Sequence, residues 1–360
     1  MKNTKIKILI GIFSTIIVSS CQNDTNSFDN FNYTATYFGW QYPVRTLVLG
    51  ESLYYDNTND LNHQFEINAS MGGVYKNTKN INVGFEIDNG LADSLAVKIG
   101  NDTVRMKILP TNYYEPITAT SIIIPVGSFN GGIKIQLTDA FFNDPLACTN
   151  KYVLALRIKS ADTDSILKGI ASSSALVSKI PSIAANWGID PRVSANWSVK
   201  PKNYTIYAIK YVNKFHGVYL RRGVQQDVSV GVSAPALGYG WEKNYIEYTS
   251  FLPKLTTVSM SKLLYSDKLA LAAVNFKALI EVSSNNSVTI SKDPTSTTNI
   301  VGTGKYVVGL EQWGGKKRNA FYLDYTVTNP ADSKTYSVKD TLVIRDNAVA
   351  VEEFSPIILR

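Results

Sequence analysis

The chain has 360 residues, 44% of them hydrophobic and 18% charged, enough for a sizeable core and, on length, for two domains. Its 36 Lys and Arg face 29 Asp and Glu, but Lys2, Lys5 and Lys7 fall in the first twenty residues, and the remaining excess is small and scattered. That balance argues against a nucleic-acid partner. The 21 Tyr, 14 Phe and 5 Trp favour strands over helices.

Residues 1–20 have a basic head, an apolar run from Ile8 to Val18, and Ser19-Ser20 before Cys21. This is the form of a secretory signal, and the apolar body is too short to span a membrane. Val18-Ser19-Ser20-Cys21 resembles the bacterial lipobox, which implies cleavage before Cys21 and acylation of that residue. Several acyl chains on one residue hold a protein firmly at a bilayer. Cys148 is the other cysteine, so no internal disulfide can form in the mature chain, and a buried structural thiol is expected. Residues 21–32 are polar and aperiodic, a flexible tether.

From residue 33 the texture is short strands with turns between them. Ile133, Ile135 and Leu137 alternate with Lys134, Gln136 and Thr138, and Tyr152, Leu154, Leu156 and Ile158 form a similar stripe. Residues 33–160 therefore read as an antiparallel Ig-like β-sandwich. Residues 161–202, rich in Ser, Ala and Pro, read as a linker with a helical turn near Ser165 to Ile170, pinned by Trp187 and Trp197. Residues 203–360 return to strands. The stripes Phe321, Leu323, Tyr325, Val327 and Ala270 through Val282 favour a calycin-like up-and-down β-barrel over a second sandwich.

Chemistry is sparse. The two histidines, His63 and His216, sit in no metal-binding or triad pattern, and no GxSxG elbow is present. No catalytic residue, cofactor or metal is expected. The Asp56-Asn57-Thr58-Asn59-Asp60 run imitates a calcium loop but places Leu61 where glycine is required and Ile67 where the closing Glu belongs. Two loop-like stretches instead combine aromatics with hydrogen-bonding groups suited to sugar rings and hydroxyls. One carries Tyr239, Trp241, Asn244 and Tyr245; the other carries Trp313, Lys317 and Arg318. Against them stands the tendency of Trp to be buried, in which case either stretch serves the fold.

Several blocks carry a family resemblance: the lipobox, LPTNYYEP from Leu109, IPVGSFNGGIKIQLTDAFFND from Ile124, KYVLALRIKS from Lys151, NYTIYAIKYVNKFHGVYLRRG from Asn203, GTGKYVVG from Gly302 and WGGKKRNAFYLDY from Trp313. The chain resembles Bacteroidota surface lipoproteins built from two domains of unknown function, the N-terminal one also preceding some family-18 glycoside hydrolases. The resemblance implies an accessory protein of a starch-utilisation-type glycan uptake system. Such a protein is held in the outer membrane through Cys21, exposed at the surface, binds glycan without catalysis, and works beside a transporter or glycosidase. The acid-rich export signal usual after the lipid Cys is reduced here to Asp24, and the family-18 motif DxxDxDxE is absent. The alternatives are an adhesin or structural subunit of a surface complex and, behind these, a glycoside hydrolase, which needs a pair of facing carboxylates.

Overall fold

The computed structural model describes residues 30–31, 33–174, 189–235, 252–272 and 274–359. Cys21 and most of the tether lie outside these residues. The described chain is all-β, a sandwich-like N-terminal region and a closed barrel.

Among the described residues, one sheet of the sandwich runs Ser165–Ile166, Ala35–Tyr37, Gln64–Gly72, Asn130–Gln136. The facing sheet runs Glu352–Glu353, Pro43–Val48, Tyr204–Val212, Tyr152–Ala161, Ile81–Ile87, Ser121–Ile124. Phe65, Ile67, Ile133, Ile135, Leu154, Leu156, Ile209 and Tyr211 fill the space between them. The second sheet is also covered on its other face. There Val153, Ala155, Tyr204, Ile206 and Ala208 pack with Leu91, Leu95, Val97 and Phe354. A small sheet of Ile357–Ile358, Leu95–Ile99 and Asp102–Arg105 lies on that side. Double coverage explains why Tyr152 to Leu156 are all buried, where the sequence stripe predicts burial on alternate residues.

The structure corrects the domain boundary at residue 203. Tyr204–Val212 is a central sandwich strand, antiparallel to Tyr152–Ala161 and parallel to Pro43–Val48. Tyr204, Ile206 and Ala208 feed one core and Ile209 and Tyr211 the other, so it has no face left for a barrel lumen. The linker is also partly sheet. Ser165–Ile166 pairs in parallel with Ala35 and Thr36 where a helical turn is expected, and Ile170–Ala171 pairs with Trp197–Val199. Trp197 does pin this segment, packing with Ala171 and Ile189 while its Nε1 donates to the Asp190 carbonyl at 3.0 Å; Trp187 lies outside the described residues.

The barrel starts at Gly217. Gly217–Asp227, Lys254–Thr257, Lys262–Lys268, Asn275–Val282, Ser287–Lys292, Asn299–Trp313, Lys316–Asn329 and Lys334–Asp346 pair antiparallel in order, and the last closes on the first. Val232–Pro235 forms a hairpin on the distal half of the first strand. The expected Ala270–Val282 stripe begins instead at Asn275, and ahead of it Leu269 N–H donates to the Val274 carbonyl at 2.9 Å.

The lumen is packed. Tyr219, Tyr265, Phe276, Ile280, Phe321, Leu323, Tyr325 and Leu342 fill it. Arg221 is buried among them, its Nε paired with Asp340 Oδ2 at 2.9 Å and its Nη1 with Asp267 Oδ2 at 2.9 Å. A Cβ on Gly302 would lie 2.3 Å from Tyr325 Cβ, so only glycine lets the strand bend this tightly past its neighbour. The GTGK motif thus serves barrel closure.

Candidate ligand-binding groove

Neither aromatic stretch singled out in the sequence supplies a site among the described residues. Tyr239, Trp241, Asn244 and Tyr245 lie outside them. Trp313 is fully buried, 0% exposed, against Leu220, Ala320 and Val343. Arg318 is buried as well, donating from Nε to the Trp313 carbonyl at 3.0 Å and from Nη1 to the Arg345 carbonyl at 2.6 Å. In the same stretch Glu311 accepts from Arg222 and Tyr322, each at 2.6 Å. Of the three residues assigned there to a ligand, only Lys317 is exposed. The stretch serves the long hairpin, and the ring of Trp313 has no face to offer a sugar.

The exposed aromatics gather on the sandwich instead. Trp40 is 54% exposed and Tyr55 50% exposed. With Tyr207, Pro43, Val44, Arg45, Thr46 and residues 349–352 they line a groove of about 430 Å³. A polar recess of about 180 Å³ adjoins it, sharing Arg45 and Tyr55 and continuing along Asp56 to Asp60.

Local chemistry holds each wall. The turn carrying Trp40 is tied at four points. Phe38 N–H donates to the Lys202 carbonyl and Ile206 N–H to the Gln41 carbonyl, both at 2.8 Å. Gln41 Nε2 donates to the Phe38 carbonyl and Thr205 Oγ1 to the Trp40 carbonyl, also at 2.8 Å. These bonds fix the Trp40 backbone and leave its ring outward.

Tyr55 sits on the loop after Val48, which buried Asn57 staples. Asn57 Nδ2 donates to the carbonyls of Val48 at 3.0 Å and Gly50 at 2.8 Å, and its Oδ1 accepts from Ser52 N–H at 3.1 Å. Tyr207 stands on the central strand with its ring centroid 6.2 Å from that of Phe65. Burial pushes the Tyr207 and Tyr55 phenols up, so both keep their protons at neutral pH and can donate.

Arg45, Asp60 and Glu352 are each in an ion pair. Arg45 Nη2 is in direct contact with Asp60 Oδ1, while Asp60 Oδ2 accepts from Val48 N–H at 3.0 Å. Glu352 is met by Lys210 Nζ at 2.9 Å. The Asp56–Asp60 run is therefore structural, its inward groups consumed by backbone and by Arg45. Among the described residues no three His, Cys, Asp or Glu side chains converge to hold a metal ion. Trp40 and Tyr55 escape a sequence search because they are split between two turns. The sequence signals that could have found them are Gly39-Trp40 just ahead of Pro43, and Tyr54-Tyr55 against an Asn/Asp turn.

His216 lies in a neighbouring recess of about 170 Å³ between the domains, with Cys148, Lys210 and Lys254, sharing Thr46, Val349 and Glu352 with the groove. Its Nδ1 accepts from Thr257 N–H at 3.1 Å. Burial first, then Lys254 and Lys210, push its pKa down to about 4. It is a neutral pin of the junction. Cys148 is free and half-buried, its thiol pushed up by burial, with Sγ 3.7 Å from the Val258 carbonyl. His63 stacks on Phe142 at 4.1 Å in a left-handed turn.

Comparison with known proteins covers both domains. A profile described as a domain of unknown function, DUF5627, matches residues 214–348, and an N-terminal-domain profile matches residues 28–165. A crystal structure of a Bacteroides ovatus protein of unknown function is 31% identical, covers 91% of this chain and 100% of its own, and superimposes with a TM-score of 0.75. This chain belongs to the same two-domain family. A second Bacteroides ovatus protein of unknown function is 13% identical over 86% of this chain and 90% of its own, with a TM-score of 0.36. No curated protein matches. The barrel begins structurally at Gly217, close to the start of the matched domain.

Proposed function

We propose that this chain is a membrane-anchored lipoprotein that binds glycan at the cell envelope, a non-catalytic accessory of a polysaccharide uptake system. Cys21 carries the lipid and fixes the protein to the outer membrane. The sandwich presents the ligand site and the packed barrel acts as its support.

The observation that carries this reading is the pairing of two half-exposed rings, Trp40 and Tyr55, around one largely apolar groove that opens onto a hydrogen-bonding recess. Sugar rings offer flat C–H faces to aromatic rings and hydroxyls to polar groups, so one groove of this kind suits both. Exposing large aromatics costs a folded protein apolar contact, and their ties to rigid turns make them preorganised rather than loose. Confinement at a membrane raises the effective concentration of a captured chain near a transporter.

A glycan array probed with the chain from Gln22 onward tests the reading. Wild type is expected to bind at least one neutral polysaccharide, and Trp40→Ala or Tyr55→Ala to weaken that binding about two- to tenfold, from stacking worth roughly 0.5–1.5 kcal/mol beyond buried area. Silence across plant, host and microbial glycans overturns it.

A further inference from the structure

We infer that the groove selects uncharged glycan and rejects uronate- and sulfate-bearing chains. This rests on the glycan reading above and adds the chemical class of ligand.

The argument is a census of charge along the two adjoining recesses. Arg45 is the one cation among the described residues that line them. Its guanidinium is already committed, Nη2 to Asp60 Oδ1 and Nη1 to the Thr46 carbonyl at 2.6 Å. Asp60 is buried beneath it and cannot swing away to release it. Glu352 brings a carboxylate to the far wall and is met by Lys210, which is thereby spent as well.

Asp56 completes the census. It is exposed at the mouth of the polar recess, and its Oδ1 accepts from Thr58 N–H at 2.9 Å and from Thr58 Oγ1 at 2.6 Å. Those two bonds hold its carboxyl below the usual carboxylate range, so it stays ionised through mildly acid conditions. No cation is within ion-pair distance of it among the described residues. The lining therefore carries one uncompensated negative charge beside Tyr55.

An incoming carboxylate or sulfate finds like charge at the mouth and, among the described residues that line the two recesses, no cation without an ionic partner. A hydroxyl finds acceptors and phenol donors. Rejecting a competitor by repulsion costs little affinity for the accepted ligand, which gains by hydrogen bonding to the same oxygens.

Calorimetric titration of the chain from Gln22 onward tests this with five probes: hexasaccharides of glucose, mannose and galactose, against galacturonate and chondroitin sulfate hexasaccharides. The best neutral probe is expected to bind at least about tenfold more tightly than either acidic one. Asp56→Asn should narrow that gap by about threefold, and 0.5 M NaCl should narrow it in wild type, since an exposed charge is screened. An acidic probe that binds as well as the best neutral one, and loses binding in Trp40→Ala, overturns the charge inference and leaves the glycan site standing. An unchanged gap in Asp56→Asn also overturns it. Absence of binding by all five probes, with a silent glycan array, removes the site and this inference together.

Discussion

His216 shows how one residue can be unreactive and still set the protein's response to acid. It is buried between the domains with Lys210 and Lys254 nearby, and its ring accepts from Thr257. Burial pushes its pKa down to about 4 in the folded chain, against 6.5 for an ordinary imidazole, so the unfolded chain binds the proton first as pH falls. Stability from this group is complete above pH 6.5 and declines as pH drops toward 4. Between pH 7 and 4.5 the loss is roughly 2–3 kcal/mol, at about 1.4 kcal/mol per pH unit. Urea unfolding at the two pH values should show that much more destabilisation in wild type than in His216→Gln. Equal pH slopes for the two proteins would mean the ring is not held neutral. Asp56, by contrast, titrates at the surface of the groove, and its removal should alter ligand choice with little effect on folding.

At the scale of single strands, sequence period and burial agree where one face meets solvent. Ile133 and Ile135 alternate as expected, and so do Phe321 to Val327 in the barrel. Agreement fails where a strand is covered twice. Nothing in Tyr204–Val212 itself reveals that both its faces are apolar-packed by distant segments, so the sequence assigns it to the following domain. The ligand groove is hidden for a similar reason, since Trp40, Tyr55 and Tyr207 converge only after three separate segments pack. Trp313 misleads in the opposite sense. Its neighbours Gly314-Gly315 and Lys316-Lys317 look like a binding loop, yet both glycines have positive φ and make the hairpin turn that buries it. The glycines of the preceding strand give a sharper test. Gly302→Ala pushes a methyl against Tyr325 Cβ and the Asp324 carbonyl, an overpacking cost of about 2–3 kcal/mol. Thr303→Ala, on the exposed face one residue on, should stay within about 0.5 kcal/mol. Thermal unfolding of the two variants checks this, and similar melting shifts would deny the glycine its role in closure.

The whole molecule is tied twice across its junction. The chain leaves the sandwich after Val212, turns through the whole barrel, and returns at Glu352–Glu353 to finish one sandwich sheet and at Ile357–Ile358 to finish the small sheet that covers it. Asn213 locks the exit, with Nδ2 donating to the Ser259 carbonyl at 2.7 Å and the Lys262 carbonyl at 3.1 Å. The barrel is thus an insertion within the sandwich, and two covalent crossings restrict how far the domains can swing. The sandwich depends on the return in a way the barrel does not. Phe354 is buried in the small core with its ring 5.5 Å from Tyr42, and its N–H donates to the Tyr42 carbonyl at 3.0 Å. Phe354→Ala removes that ring from a closed site and should cost about 3–4 kcal/mol. The effect belongs to one domain. Hydrogen exchange should show amides of Leu95–Ile99 and Tyr152–Ala161 losing protection, while those of Asn275–Val282 in the barrel keep theirs. Equal loss in both would mean that the two domains open as one cooperative unit, and that the return strand holds the barrel as well as the sheet it completes.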